Sequence, residues 1–170
     1  LTIKRIKNGE LTVDDAIVPD FPTGGVLVCD REEIAKIMMT GIGKLKVRAR
    51  VEIEGADILV KEVPVGKSAE GIAKAVNTSE IKDVKSASVT LGRNAPAHVI
   101  ISCKTKRAVE NVLMQLYQKD ILQNTFSSNI LVVNDGKPEL LGVFDVVNEW
   151  YAWRKSVLKT KFERLIKDAQ

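Results

Sequence analysis

The sequence predicts an α+β fold in which a mixed or antiparallel sheet packs against helices and a long helix ends the chain. Residues 44–54, KLKVRARVEIE, alternate strictly between apolar and charged side chains, a pattern typical of a strand with one buried face. Strand-like segments come in pairs that are followed by helix-like segments, which favours α+β over a doubly wound parallel sheet. After Gly142 neither Pro nor Gly interrupts an amphipathic pattern that runs to Gln170. We therefore expect a domain over 1–141 and one long helix over 142–170.

The N-terminal part of the chain contains start and stop signals for two helices and one strand. TVDD at 12–15 predicts a capping box that opens a short helix, and Pro19 ends it. GVLVC at 25–29 predicts a short strand. Asp30 is then the predicted N-cap of a second helix, which the glycines from Gly41 onward end.

Beyond the alternating strand, the same signals predict more strands and two more helices. Pro64 ends a strand that would pair with residues 44–54, and Ser68 and Thr105 are the predicted N-caps of the two helices. Further strands are predicted at 84–91, at 97–103 after a GRNAP connection, and at 128–134.

The composition is that of a folded protein with a modest positive charge. The chain has 170 residues, of which 45% are apolar and 28% charged, enough to bury one core. No run of about 18 apolar residues predicts a membrane span, and the N-terminus lacks the apolar core of a signal peptide. Cys29 and Cys103 form no CxxC motif, so we expect a reducing, cytoplasmic compartment. The net charge of +4 argues for a polyanionic partner only if the cations cluster.

The motifs of common catalytic and metal-binding sites are incomplete. VPVGKSAEG at 63–71 contains GKS, but Lys61 stands where a Walker A loop needs its first Gly, so a plain strand-to-helix connection is the better interpretation. His98 and Cys103 would face opposite sides of a strand, and we interpret both as buried packing residues rather than zinc ligands. No arrangement places a base beside a Ser or Cys nucleophile. We therefore predict no catalytic, cofactor-binding or metal-binding residue.

The charged face of the alternating strand is the main candidate for binding. Alternate residues of a strand lie about 6.6–6.8 Å apart, close to the separation of successive phosphates along a DNA strand. A row of cations on this face could therefore follow a nucleic-acid backbone without reading bases: Lys44, Lys46, Arg48 and Arg50. The alternative, of equal weight on this pattern, is a solvated face on which the cations pair with carboxylates such as Glu52 and Glu54.

Several motifs, collinear along the chain, resemble one protein family. PDFPTGG at 19–25 precedes a strand, a helix and then TGIGKLKVRA at 40–49, and LYQKDILQNTFSSNILVVNDGKP follows at 116–138. Together these motifs resemble the A subunit of bacterial type IIA DNA topoisomerases, DNA gyrase and topoisomerase IV. The chain departs from the family pattern at Ile42, where the family usually has a basic residue, and at Ser127, where it has Gly.

The resemblance implies a position within a longer enzyme. Residues 1–141 would be its tower domain, and 142–170 the start of its coiled coil. The family's catalytic tyrosine lies in a winged-helix domain before DFPTGG, and neither Tyr117 nor Tyr151 matches its motif, so we expect this chain to be inactive alone. In the whole enzyme an A-subunit homodimer would act on double-stranded DNA in the cytoplasm, at the nucleoid. The B subunit would supply ATP hydrolysis and the Mg²⁺ site.

The resemblance also extends the predicted DNA contacts. It adds Gln123, Asn124 and Thr125 as neutral contacts to the DNA backbone, with turn chemistry before the next strand as an equal alternative. The tower would cradle the arms of the cleaved duplex, which the family bends strongly. The alternative function is a free-standing basic module that binds nucleic acid or protein without catalysis. We interpret the basic side of the final helix as a solvated face.

Overall fold

The computed structural model describes residues 1–90 and 98–169 and confirms the α+β class. The chain forms two compact units. The sheet unit consists of Pro19–Cys29 and Lys44–Phe126, and the helical unit consists of Leu1–Val18, Asp30–Gly43 and Ser127–Gln170. Each unit therefore collects segments that are separate along the chain. The predicted boundary at residue 141 stays a prediction.

The secondary structure of the described residues is as follows. The strands are β1 (Val26–Leu27), β2 (Ile42–Arg48), β3 (Arg50–Glu54), β4 (Asp57–Glu62), β5 (Val84–Val89), β6 (Val99–Cys103), β7 (Gln123–Asn129), β8 (Leu131–Asn134) and β9 (Lys137–Leu140). The helices are α1 (Thr2–Asn8), α2 (Arg31–Thr40), α3 (Ala69–Thr78), α4 (Val109–Gln118) and α5 (Val143–Ala169). Short 3₁₀ turns occur at Val13–Asp15 and Lys106–Ala108.

The prediction of one continuous strand over 44–54 is wrong, because the structure divides it at Ala49. β2 lies between β1 and β7 in a three-stranded sheet, whereas β3 pairs with β4 in a four-stranded sheet. Ala49 belongs to neither strand, and its backbone N–H donates to the carbonyl oxygen of Leu122, just before β7, at 2.8 Å. The predicted alternation is confirmed in β2, where Leu45 and Val47 are 2% and 0% exposed, but Ile53 in β3 is exposed.

The four-stranded sheet carries the core of the sheet unit. Its order is β3-β4-β6-β5, with every neighbouring pair antiparallel. Side chains of the sheet, such as Ile58 and Ile101, form one buried cluster with Ile72 of α3 and Leu116 of α4. α3 begins as predicted at Ser68, whose Oγ accepts a hydrogen bond from the backbone N–H three residues later at 3.1 Å.

The helical unit contains the long helix that the sequence predicts. α5 packs against α1 and α2 and, at about 1.5 Å per residue, has a length of roughly 40 Å. Phe144 in its first turn is buried, whereas its second half exposes apolar side chains such as Phe162 and Leu165. α2 ends as predicted at Gly41, which has a left-handed φ of 75° and donates its N–H to the Ile37 carbonyl oxygen.

Boundaries around the third and fourth strands of the four-stranded sheet differ slightly from the prediction. The predicted strand 84–91 corresponds to β5, which ends at Val89, and the GRNAP connection lies outside the described residues. His98 is exposed and not buried as predicted, because it lies in a bend before β6 rather than inside the strand. Cys103 is buried, as predicted.

Within the described ranges, no helix is long and apolar enough to cross a membrane.

The segment after α4 also differs from its prediction. The predicted strand 128–134 divides at Ile130 into β7 and β8, and β8 forms a hairpin with β9. β7 begins at Gln123, so the residues expected to form a turn before the strand are part of the strand itself. The helix predicted after Thr105 starts with a 3₁₀ turn and becomes α-helical at Val109.

Candidate nucleic-acid interface

The PDFPTGG segment forms a tight turn that leads into β1. Gly24 donates its backbone N–H to the Phe21 carbonyl oxygen at 2.9 Å. Gly24 and Gly25 have φ angles of 73° and 103°, which residues other than Gly rarely adopt. β1 then pairs antiparallel with β2, so that Val26 lies opposite Arg48. The turn therefore fixes β1, which lies directly beside β2, the strand that carries Lys44 and Lys46.

Glu62, at the end of β4, holds this turn in place. Its Oε2 accepts the backbone N–H of Gly25 at 2.6 Å, and its Oε1 accepts a hydrogen bond from Nη1 of Arg50 at 3.1 Å. A side chain at Gly24 would overlap the Glu62 carboxylate. The hydrogen bond from Gly25 is the largest cause that lowers the pKa of Glu62, and Arg50 lowers it further against the opposing effect of burial. Glu62 is therefore ionised and links the turn to the sheet.

Lys44 and Lys46 are exposed on the outer face of β2. Leu45 and Val47, which alternate with them, are buried, so the two lysines are directed to the opposite side of the strand. No hydrogen bond or ion pair joins the ammonium group of either lysine to a residue that the structure describes. These two ammonium groups are therefore available to an external anion without breaking a contact within the described chain.

Arg48 is on the same side of β2 but is half-buried and held by its neighbours. Its Nε donates to Oε1 of Gln123 at 3.1 Å, and its guanidinium carbon lies 4.8 Å from the centroid of the Tyr117 ring. Gln123 is only 7% exposed, and its Nε2 donates to Oδ1 of Asp120 at 2.9 Å. Burial raises the pKa of Tyr117, while the positive charge of Arg48 opposes that rise.

Arg50 belongs to β3 and not to β2, the strand of the other three predicted cations. The break at Ala49 places it in the four-stranded sheet, where its guanidinium forms an ion pair with Glu62 at 3.1 Å. The predicted row of four cations therefore consists of two lysines without a partner among the described residues, one arginine held by its neighbours, and one arginine already paired with a carboxylate. The solvated, ion-paired alternative describes Arg50, and it also describes Lys61, which pairs with Glu52 at 3.0 Å.

The three neutral residues that the resemblance adds lie at the start of β7. Gln123 is buried between Arg48 and Asp120, and Asn124 donates its side-chain amide to the Val65 carbonyl oxygen at 2.8 Å. Thr125 is exposed. Of these predicted contacts, the structure leaves Thr125 open to an external ligand and uses the amides of the other two inside the sheet unit.

The GKS sequence serves as a turn and helix cap, in agreement with the interpretation as a connection. Gly66 has a φ of 80°, Lys67 donates its Nζ to the Asp120 carbonyl oxygen at 2.5 Å, and Ser68 caps α3. The two polar side chains of the motif are therefore explained by local contacts. In the part of the chain that the structure describes, no group of three or more His, Cys, Asp or Glu side chains could hold a metal ion.

Comparison with known proteins agrees with the resemblance carried by PDFPTGG at 19–25 and TGIGKLKVRA at 40–49. The model of the family described as the A subunit of DNA gyrase/topoisomerase IV matches residues 2–170. The chain belongs to this family. It is similar to the DNA gyrase A subunit of Chlamydia pneumoniae, with 32% identity over 95% of the chain and 21% of the relative. The corresponding proteins of Aeromonas salmonicida and Clostridium acetobutylicum are each 30% identical, over 93% of the chain and 19% and 20% of the relatives.

The chain thus spans about a fifth of the length of the gyrase A relatives that it matches. Two residues that organise this surface are missed by reasoning from the sequence alone. Tyr117 lies within a helical apolar stripe, which predicts core packing, although its ring also contacts the guanidinium of Arg48. Glu62 lies directly before Val63 and Pro64, and its position at a strand end is the signal that could have identified it.

Proposed function

We propose that the chain is the tower domain and the first coiled-coil helix of the A subunit of a type IIA topoisomerase, and that its sheet unit binds the duplex that the enzyme cuts. The observation that carries the proposal is the exposed pair Lys44 and Lys46 on a strand whose other face is buried. Family membership supports the parent activity, an ATP-dependent change of DNA topology. The free-standing module is not favoured, because almost the whole chain matches a fifth of much longer proteins.

The chemistry of this surface is electrostatic positioning rather than bond cleavage. A cation that neutralises a phosphate releases condensed counterions, and this contribution is independent of sequence. A rigid strand holds its cations at a spacing that suits successive phosphates of one DNA strand. Elastic bending of a duplex by 40–90° costs of order 1–6 kcal/mol, and phosphate contacts along the arms of the bent duplex offset that cost.

Other parts of the enzyme would supply what this chain does not. We assign the catalytic tyrosine to a winged-helix domain outside these residues. By family membership, we assign ATP and Mg²⁺ to the partner B subunit. The Lys and Ser of the GKS turn in this chain are engaged in local contacts. A second copy of the A subunit, together with the B subunit, would complete the assembly at the nucleoid. The exposed apolar side chains Leu158, Phe162 and Leu165 of α5 support the expected coiled coil.

A salt titration of duplex binding tests the proposal. In Lys44→Glu/Lys46→Glu, the affinity of the chain for a short duplex should fall, and the slope of log K against log salt should flatten by about 1.8 units for two lost phosphate contacts. The matched control is Lys82→Glu/Lys85→Glu, which changes the charge equally at exposed positions of the same unit. Equal effects of the two double variants would reject the proposed surface and leave only a general dependence on net charge.

A further inference from the structure

Arg48 differs from the two lysines because its side chain is already fixed before any ligand binds. Its Nε donates a hydrogen bond to Oε1 of Gln123, and its guanidinium carbon lies 4.8 Å from the centroid of the Tyr117 ring. Gln123 is itself immobilised, since it is 7% exposed and donates to Asp120. The guanidinium thus has a hydrogen bond in its plane and an aromatic ring beside it, which together restrict the terminal torsions of the side chain.

The free donors of Arg48 lie at an open hollow. Its two terminal nitrogens make no hydrogen bond to a described residue, so their N–H groups remain available. The side chain lines a surface hollow of about 350 Å³, whose other walls are formed by Glu110, Leu113, Met114, Tyr117, Gln118 and Gln123, so that one carboxylate lines the same hollow as the guanidinium. Two parallel N–H groups of a guanidinium match two oxygens of one phosphate, a geometry that an ammonium group does not offer.

We propose that Arg48, Gln123 and Tyr117 form a subsite for one phosphodiester of nucleic acid, in which Arg48 binds the phosphate and the other two residues position it. Gln123 is therefore a positioning residue and not the direct DNA contact predicted from the sequence. The subsite rests on the proposed function, because it assumes that the duplex lies along β2. In this proposal the ammonium groups of Lys44 and Lys46 contact phosphates through flexible side chains, whereas Arg48 binds one phosphate through a guanidinium that is already held in place.

The energetic basis of the subsite is conformational entropy. Ordering a long side chain at an interface weakens binding, and an arginine that the fold has already ordered avoids that loss. Releasing Arg48 from its two neighbours should therefore weaken DNA binding without removing its charge. Affinity should fall while the number of neutralised phosphates, read from the salt slope, stays the same.

The test combines Gln123→Met with Arg48→Gln in the 170-residue chain. Gln123→Met keeps the volume and removes the amide, and should lower the affinity for a short duplex about two- to tenfold with an unchanged salt slope. Arg48→Gln should flatten the slope by about 0.9 units, and Gln123→Met should have no further effect in that background. Tyr117→Phe should retain more affinity than Tyr117→Leu, because it keeps the ring.

Each result of this experiment decides between the subsite and a simpler explanation. Gln115→Met, an equivalent change on α4, is the control, and thermal unfolding shows that the variants are folded. A loss of affinity by Gln123→Met that persists in the Arg48→Gln background would overturn the subsite and assign Gln123 to packing. No loss with Gln123→Met, beside a flattened slope in Lys44→Glu/Lys46→Glu, would overturn the subsite and leave the proposed function intact. A wild-type chain that fails to bind DNA would overturn both.

Discussion

The carboxylate of Glu62 accepts the backbone N–H of Gly25 at 2.6 Å, and this bond joins the PDFPTGG turn to the end of β4. Removing the acceptor leaves a partly buried amide without a partner, which costs about 1 kcal/mol. We expect Glu62→Ala to lower the free energy of unfolding by about that amount, measured by urea denaturation. Glu52→Ala is the control, because Glu52 also pairs with a cation but is 60% exposed, and it should change stability by less than about 0.5 kcal/mol. Equal losses would show that the turn is held by other contacts.

The same carboxylate should make stability depend on pH. Because its pKa in the folded protein is lower than the ordinary value of 4.5, its contribution is fully present above that value and is lost as the pH falls through the folded pKa. The difference in stability between the wild type and Glu62→Gln should therefore shrink from about pH 6 to about pH 3. The pKa of Asp15 is lowered as well, mainly by a hydrogen bond from Lys4, but both proteins share that effect. A difference that stays constant across this range would contradict the role of the ionised group.

Gly41 meets two constraints at once, and they can be separated. Its φ is 75°, and a Cβ there would overlap the carbonyl oxygen of Leu141 within the helical unit. Gly9 has a similar left-handed φ and the same place after a helix, but open space around it. Gly9→Ala should cost about 1–2 kcal/mol for its backbone conformation alone, and Gly41→Ala should cost clearly more. Comparable denaturation midpoints for the two variants would show that the surroundings of Gly41 yield without cost.

The elements that could be predicted are those with a regular spacing of apolar residues. The alternation in β2 identifies that strand correctly, because burial of one side of a strand leaves a direct trace in the sequence. The helical spacing of apolar residues without Pro or Gly identifies α5, although Phe144 is its one buried residue among those that the structure describes. The break at Ala49 leaves no such trace. Apolar and charged residues alternate on both sides of it, and the two halves differ in the strands with which they pair. The apolar pattern of a strand indicates which of its faces is buried. It does not indicate which strand pairs with it.

The candidate site shows the same limit at the level of side chains. Lys44 and Lys46 could be predicted as an exposed pair, since charged residues that alternate with buried neighbours must face outward. The contacts of Arg48 could not, because Tyr117 and Gln123 lie about 70 positions away along the chain and only the folded sheet unit brings them together. Whether a cation is free, held or paired depends on such distant partners.

Arg50 should contribute less to DNA binding than Lys46, although the sequence places both in one row. Its guanidinium is paired with Glu62 at 3.1 Å, so a phosphate would have to compete with a carboxylate already in contact, whereas the ammonium group of Lys46 has no partner among the described residues. In salt titrations of duplex binding, Lys46→Gln should flatten the slope by about 0.9 units and Arg50→Gln by less than half of that. Lys61→Gln, which removes another paired cation, should resemble Arg50→Gln. An Arg50→Gln slope as flat as that of Lys46→Gln would mean that Arg50 leaves Glu62 for the phosphate, and the ion pair would then belong only to the free protein.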